Sequence, residues 1–232
     1  MKKVLSIILS VLMLVSVMAG LNVTSFAEEH QWKLTDIDRA TLGKDGKKYY
    51  TCEKCGDTKI VKIAKITSIK LSTAKYVYDG KVKTPKLVVT DANGRTLTEK
   101  CYLTGYDDGR KKVGTYSVDA TLKGSYYGIF VREFKIVPKG TSIYEVIPGK
   151  KQMTVHWGTQ KTQTTGYQLQ YATNAKFTKG TIITVKDNTN TKRVVKNLTS
   201  GKKYYVRVRT YKSVDGETYR SAWSKVKYTT VK

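Results

Sequence analysis

Gly166-Tyr-Gln-Leu-Gln-Tyr171 and Lys203-Tyr-Tyr-Val-Arg-Val-Arg209 decide the fold. In the first, Tyr167, Leu169 and Tyr171 occupy every second position; in the second, Tyr204, Val206 and Val208 do the same. Side chains of an extended chain point alternately to opposite faces, so each stretch reads as a strand with one buried face. Working outward, Met153, Val155 and Trp157 share one face of an earlier strand, and Ile182 to Val185 forms a short one. Val194, Val195 and Leu198 lead into Tyr204, and a hairpin through Asp215-Gly216 returns the chain to Val226 and Tyr228. Residues 141–232 therefore read as one all-β domain.

The same pattern continues upstream. Residues 66–138 offer Ile66, Ile69 and Leu71, then Tyr76-Val-Tyr-Asp-Gly80, then Leu87-Val-Val89 before Asp91-Ala-Asn-Gly94. Asn-Gly between apolar runs is a hairpin signal. Tyr116, Val118, Ala120 and Leu122 alternate, and Ile129, Val131, Phe134 and Ile136 close a second small sandwich. Residues 28–64 contain few large apolar side chains, and a segment of that size rarely encloses a core without a metal or staple. The fold expected is all-β: a short zinc-ribbon-like segment followed by two β-sandwiches in tandem.

Residues 141–232 resemble the fibronectin type III family. Trp157 lies on the second strand, and Leu198-Thr-Ser-Gly-Lys-Lys-Tyr204 matches the family's tyrosine corner, with Ser200 where proline is usual. Ser221-Ala-Trp223-Ser224 resembles part of the Trp-Ser-x-Trp-Ser motif of receptor members, with Arg220 in place of the first Trp. Trp157, Leu198, Tyr204 and Trp223 are structural residues on this resemblance. The middle segment looks like the Ig-like repeats of Gram-positive surface proteins, through Tyr76 to Gly80, Val113-Gly-Thr-Tyr116 and Phe134-Lys-Ile136. His30-Gln-Trp32 and Gly46 to Gly56 resemble a small repeat found beside such domains, which carries a Cys-x-x-Cys core. The fibronectin type III fold hosts many unrelated binding roles, so it implies architecture before function.

The N-terminus sets the expected compartment. Met1-Lys2-Lys3, an uncharged run over Val4 to Val17, and Ser25-Phe-Ala27 read as a secretory leader, residues 1–27, cleaved after Ala27. The expected product is secreted, extracellular and associated with the bacterial cell wall, with no integral membrane segment after cleavage. No leader cysteine and no wall-sorting tail point to a covalent anchor. Formal net charge is +25, from 43 Lys and Arg against 18 Asp and Glu. A cationic exported protein meets anionic wall polymer and polysaccharide, whereas export removes it from nucleic acid. Lysines on solvent faces also blunt sheet edges and keep small β-domains soluble.

Two residue groups are candidate sites. Cys52 and Cys55 sit at metal-ligand spacing on one turn, with His30 a third candidate ligand; the fourth position is either filled by Asp57 or Asp36 or lacks a protein ligand. Zinc, a disulfide and free thiols all remain compatible with that pair, since exported cysteines oxidise readily. Cys101 stands alone and reads as a small buried apolar residue. On the outer face of the two deciding strands, Gln168, Gln170, Tyr205, Arg207, Arg209 and Tyr211 form a candidate ligand face for a sugar chain. Its bland counterpart has Trp223 stacked on Arg207 or Arg209, which makes the arginines structural. Tyr126 and Tyr127 are a second aromatic pair, read as core or edge packing. His30 and His156 lie in different segments, His156 facing solvent, and no nucleophile elbow, zinc-protease helix or phosphate loop is present. The function expected is non-catalytic: a cell-surface binding or spacer protein, or alternatively an adhesin acting through the fibronectin-like domain on a protein partner.

Overall fold

The computed structural model describes residues 29–232, so the expected leader lies outside the described residues. Seventeen strands and one short 3-10 turn make up the fold, and the described residues contain no α-helix.

The first three strands, β1 (Trp32–Asp38), β2 (Gly46–Cys52) and β3 (Thr58–Ile63), form an antiparallel meander. Trp32 pairs with Cys52 and Thr51 with Thr58 at one end; Asp38 pairs with Lys47 and Gly46 with Ile63 at the other. Gly46 is required at that second end, because a Cβ there would collide with the Asp38 carbonyl and the Ala40 nitrogen. Ala40 and Ile63 are buried in one cluster with Ile66, Ile69, Val89 and Tyr126. The Ala40 N–H donates to the Ser125 carbonyl at 3.0 Å, and the Tyr127 N–H donates to the Ala40 carbonyl at 2.9 Å. A segment too poor in apolar residues to enclose its own core thus leans one end on its neighbour's.

The middle unit contains β4 (Ile66–Leu71), β5 (Lys75–Val77), β6 (Leu87–Asp91), the 3-10 turn Glu99–Cys101, β7 (Tyr102–Tyr106), β8 (Gly114–Leu122) and β9 (Ile129–Val137). β4 pairs with β6, and the facing sheet has the order β5-β9-β8-β7, with β5 parallel to β9. Val118, Ala120 and Leu122 point inward as their alternation requires. On β9 the inward set is Phe134 and Ile136, which by parity turns Ile129 and Val131 outward; they are 73% and 54% exposed. The expected Asn93-Gly94 turn forms with Gly94 at φ +77°, but it returns only a single bridge, Thr90 to Thr96, before the 3-10 turn.

The last unit is built from β10 (Ile143–Gly149), β11 (Gln152–Trp157), β12 (Gly166–Ala172), β13 (Thr181–Val185), β14 (Lys192–Lys196), β15 (Lys203–Val214), β16 (Glu217–Arg220) and β17 (Lys227–Thr230). A three-stranded sheet, β10-β11-β14, faces a second sheet in which β13, β12 and β15 are neighbours and both β16 and β17 pair with β15. Met153, Val155, Trp157, Tyr167, Leu169, Val206 and Val208 are fully buried between them. The Asp215-Gly216 turn has both residues at positive φ, 48° and 81°, the backbone that a two-residue hairpin of the strands' own twist demands. The Tyr204 hydroxyl accepts the Thr199 N–H at 3.2 Å, closing the corner between the sheets.

Polar contacts join this unit to the one before it. The Val113 N–H donates to Gln163 Oε1 at 3.0 Å, the Thr115 and Tyr219 hydroxyls lie 3.0 Å apart, and the Thr210 hydroxyl donates to the Lys139 carbonyl at 2.7 Å.

Truncating the filled centre, Trp157→Ala, should cost about 3–5 kcal/mol, the range for large aromatic deletions in cores. Tyr204→Phe, which removes one hydrogen bond and no ring, should cost about 0.5–1.5 kcal/mol. Urea unfolding of each variant beside the parent protein measures both, and equal losses would contradict the separate roles given to the two residues.

Candidate functional site

The outer face of β12 and β15 is internally satisfied. The strand register sets Gln168 opposite Arg209 and Gln170 opposite Arg207. Arg209 Nε donates to Gln168 Oε1 at 2.9 Å, and Arg207 Nε donates to Gln170 Oε1 at 2.8 Å. Aromatic rings then cover the guanidiniums: Phe177 lies 4.1 Å from Arg207, and Trp223 lies 4.7 Å from Arg207 and 4.1 Å from Arg209. Burial pushes both arginines below their ordinary pKa; for Arg209, the neighbouring charges of Arg220 and Arg207 add to that.

Trp223 reaches this position because residues 221–226 leave the ladder between β16 and β17. Two serines hold the gap. The Ser221 N–H donates to the Thr210 carbonyl at 3.1 Å, and its hydroxyl accepts the Thr210 N–H at 3.1 Å. Ser224 does the same with Val208, at 2.8 and 3.1 Å. Hydroxyl oxygens stand in for missing ladder carbonyls, so β15 loses none of its bonds there while the chain bulges out and places the indole over the arginines. Phe177 is the member of this stack that sequence reasoning missed. Its signal was a lone large apolar residue in the polar loop Thr173-Asn-Ala-Lys-Phe177-Thr-Lys-Gly180.

The other members of the expected ligand face separate. Tyr205 is half-buried, with its ring 5.8 Å from Tyr228. Tyr211, expected to point outward, is only 6% exposed, and burial raises its hydroxyl pKa. Glycine at position 166, its partner in the register, makes room for the Tyr211 ring: a Cβ there would lie 3.1 Å from that ring. Tyr126 is core, with its hydroxyl accepting Arg95 Nη2 at 3.0 Å, while Tyr127 is exposed. His156 is half-buried beside Tyr144, with ring centres 5.9 Å apart. Cys101 is half-buried against the cluster around Ile66.

The second candidate group does assemble. At the end of the first meander remote from Ala40, the turn after β2 is closed by the Gly56 N–H on the Cys52 carbonyl, 3.0 Å, and the Cys52 N–H on the Asp57 carbonyl, 2.8 Å. The Glu53 N–H donates to the Gln31 carbonyl at 2.9 Å, drawing the chain before β1 onto that turn. His30 Nδ1 lies 3.3 Å from Cys55 Sγ, and the ligand atoms of His30, Cys52 and Cys55 all fall within 4.8 Å of one another. The His30 ring stacks on Trp32 at 4.9 Å, and Lys59 Nζ sits 4.5 Å over the indole. Asp57 Oδ2 is 3.8 Å from His30 Nδ1. Asp36, the other carboxylate considered, pairs with Tyr49 further up β1 and bonds the Ile37 N–H.

The two thiols differ electronically. Burial opposes the Cys52 thiolate, but hydrogen bonds from the Cys55 N–H, His30, the Cys55 thiol and the Lys54 N–H outweigh it and bring its pKa from 9.0 to about 6. For Cys55, the Asp57 N–H favours the thiolate, yet Cys52, burial and the Asp57 carboxylate together raise its pKa. A pair so divided holds one thiolate ready at neutral pH, the form a metal ion binds.

Trp223→Ala should uncover the Arg209 guanidinium, leave Arg207 under Phe177, and lower stability by about 0.5–2 kcal/mol, read as a shift in the thermal midpoint. In metal-free protein, ultraviolet thiolate absorbance should titrate with a midpoint near pH 6 and lose that step in Cys52→Ser. The folded-state pKa is the lower one, so the thiolate's contribution to stability is complete above pH 9, shrinks as pH falls, and is gone below about pH 6. A single midpoint near 9 would contradict the arrangement.

Residues 138–227 match the model of the fibronectin type III domain. No curated protein matches the sequence. Among solved structures, a two-domain fibronectin type III segment of chicken tenascin is 13% identical, covering 87% of this chain and 98% of that one, at a TM-score of 0.36. The FN1–FN3 domains of chicken CNTN1 are 10% identical, covering 82% and 78%, at 0.35. A titin segment is 16% identical, covering 81% and 74%, at 0.31. All but the last strand of the two facing sheets, and the Tyr204 corner, lie within residues 138–227, the stretch that is similar to the fibronectin type III domain.

Proposed function

We propose that this is an exported, non-catalytic binding or spacer protein that associates with anionic wall polymer or polysaccharide through distributed positive charge. Fibronectin type III domains are structural or binding modules, which sets the class. The observation that carries the finer reading is the charge of that domain. Residues 141–232 hold 18 Lys and Arg against four Asp and Glu. All four Lys or Arg ion pairs among the described residues, Lys33–Glu53, Lys62–Asp45, Lys83–Asp79 and Arg95–Asp91, lie upstream of it. Apart from Arg207 and Arg209, which are stacked and bonded within the sheet face, its cations have no carboxylate partner and can meet an external polyanion. Lys192, Arg193 and Lys196 on β14 border an open cleft with Tyr171 and Ile183. The leader-like residues 1–27 support export, and export supports wall polymer over nucleic acid. Zinc, held by His30, Cys52 and Cys55, completes this reading as a structural ion of the first meander.

A protein partner is the second reading. Exposed Tyr228 beside Tyr205, and exposed Tyr144, whose carbonyl accepts Lys227 Nζ at 2.8 Å, offer an aromatic surface on the edge of the same domain.

Binding to purified anionic wall polymer should weaken at least about tenfold between about 0.1 and 1 M salt, where the screening length falls from about 10 to about 3 Å. Lys192→Glu with Lys196→Glu should weaken it at low salt without changing the unfolding curve. Salt-independent capture of a protein, abolished by Tyr228→Ala, would favour the second reading instead.

A further inference from the structure

We propose that Asp57 is the fourth ligand of a tetrahedral site with His30, Cys52 and Cys55, and that a zinc ion there staples the start of β1 to the β2–β3 turn. The proposal rests on the zinc reading above and deepens it, naming the completing ligand and what the ion does for the fold.

Ligand spacing is the first support. With Zn–S near 2.3 Å and Zn–N and Zn–O near 2.1 Å, a tetrahedral site sets N and S about 3.6 Å apart and N and O about 3.4 Å apart. His30 Nδ1 lies 3.3 Å from Cys55 Sγ and 3.8 Å from Asp57 Oδ2, on either side of those edges; the Asp57 carboxylate lies outside the group of His30, Cys52 and Cys55 atoms within 4.8 Å of one another and must turn inward to complete it. The nearby acids are otherwise engaged. Glu53 pairs with Lys33 at 2.9 Å, and Asp36 bonds its own neighbour's N–H. Asp57 is anchored through its carbonyl on the Cys52 N–H, whereas its side chain is 63% exposed and free to turn onto an ion.

The second support is what this end of the meander lacks. Ala40 and Ile63 bury the opposite end against the middle unit. At the remote end Cys52 is the one buried residue of β1 to β3, while Leu34, Ile60 and Val61 are exposed. Among the described residues no hydrophobic cluster reaches this end, and small segments of this kind take a metal in place of a core. His30 and Cys55 are 25 residues apart in sequence, so a shared ion closes a loop around the whole β1–β2 hairpin. Two thiolates and a carboxylate give the ion one negative charge too many, and Lys54 and Lys59 flank the site to offset it.

The test uses the full chain, loaded with zinc and then compared with chelator-treated protein. Expected are one zinc per chain, none in Cys52→Ser with Cys55→Ser, and at least about tenfold weaker binding in Asp57→Asn, since even outer-shell partners of a metal site cost that much. Asp36→Asn should bind as the parent does. Cobalt(II) should give the intense visible spectrum of a tetrahedral thiolate site, weakened in Asp57→Asn. Hydrogen exchange on metal removal should speed up over residues 30–37 and 50–59 and stay unchanged around Phe134. A parent chain that takes up no zinc overturns the underlying zinc reading. Zinc binding with Asp57→Asn equal to the parent leaves that reading standing and overturns the fourth ligand. Unchanged exchange after chelation overturns the staple.

Discussion

The burial of Met153, Val155 and Trp157 against Tyr167, Leu169, Val206 and Val208 is the constraint from which the C-terminal domain follows. Once those side chains are enclosed, parity leaves no choice for their neighbours: Gln168, Gln170, Arg207 and Arg209 must stand on the other face. A face of guanidiniums on a small sheet then needs cover. Phe177 supplies it from one loop and Trp223 from the interrupted last strand. The same arginines that look like a ligand surface in one dimension are, in three, the filling of a stack.

What the sequence disclosed was what depends on nearest neighbours along a strand. The alternation of residues 153–157 and 204–208 predicted their burial, and Asp215-Gly216 predicted its turn; on 167–171 Tyr167 and Leu169 are buried as expected, but Tyr171 is half-buried and Gln170, bonded to Arg207, is buried. Alternation failed where its phase was ambiguous: Ile129 and Val131 carry the same apolar signal as Phe134 and Ile136, yet only one phase can face inward, and long-range packing chose the second pair. Tyr211 was misread for a related reason, since the room that buries it comes from a glycine 45 residues upstream on another strand. The docking of Ala40 beneath Tyr126 is wholly non-local, and no spacing within residues 28–64 announces it.

The cluster of His30, Cys52 and Cys55 was half legible. Cys-x-x-Cys sets two thiols on one turn by covalent proximity alone, and the hydrogen bond from Glu53 to Gln31 folds the preceding chain over that turn and brings His30 beside them. Which of Asp36 and Asp57 lies near the histidine needed the strand register, which places the first up the strand and the second beside it. The positive charge, in contrast, was plain from composition. Structure added its distribution: carboxylate partners occur in the first two units and are missing from the third.

The bonds across the joint at Lys139 bear on how the molecule would respond to tension. Val113 to Gln163, Thr115 to Tyr219 and Thr210 to Lys139 are three hydrogen bonds, each worth about 0.5–1.5 kcal/mol net. Together they exceed thermal energy several-fold, so the two sandwiches should not swivel freely at rest. Their sum, about 1.5–4.5 kcal/mol, stays below the about 5–15 kcal/mol typical of a folded domain. Under a rising pull the joint would therefore yield before the sheets, lengthening the chain by straightening while its domains stay intact.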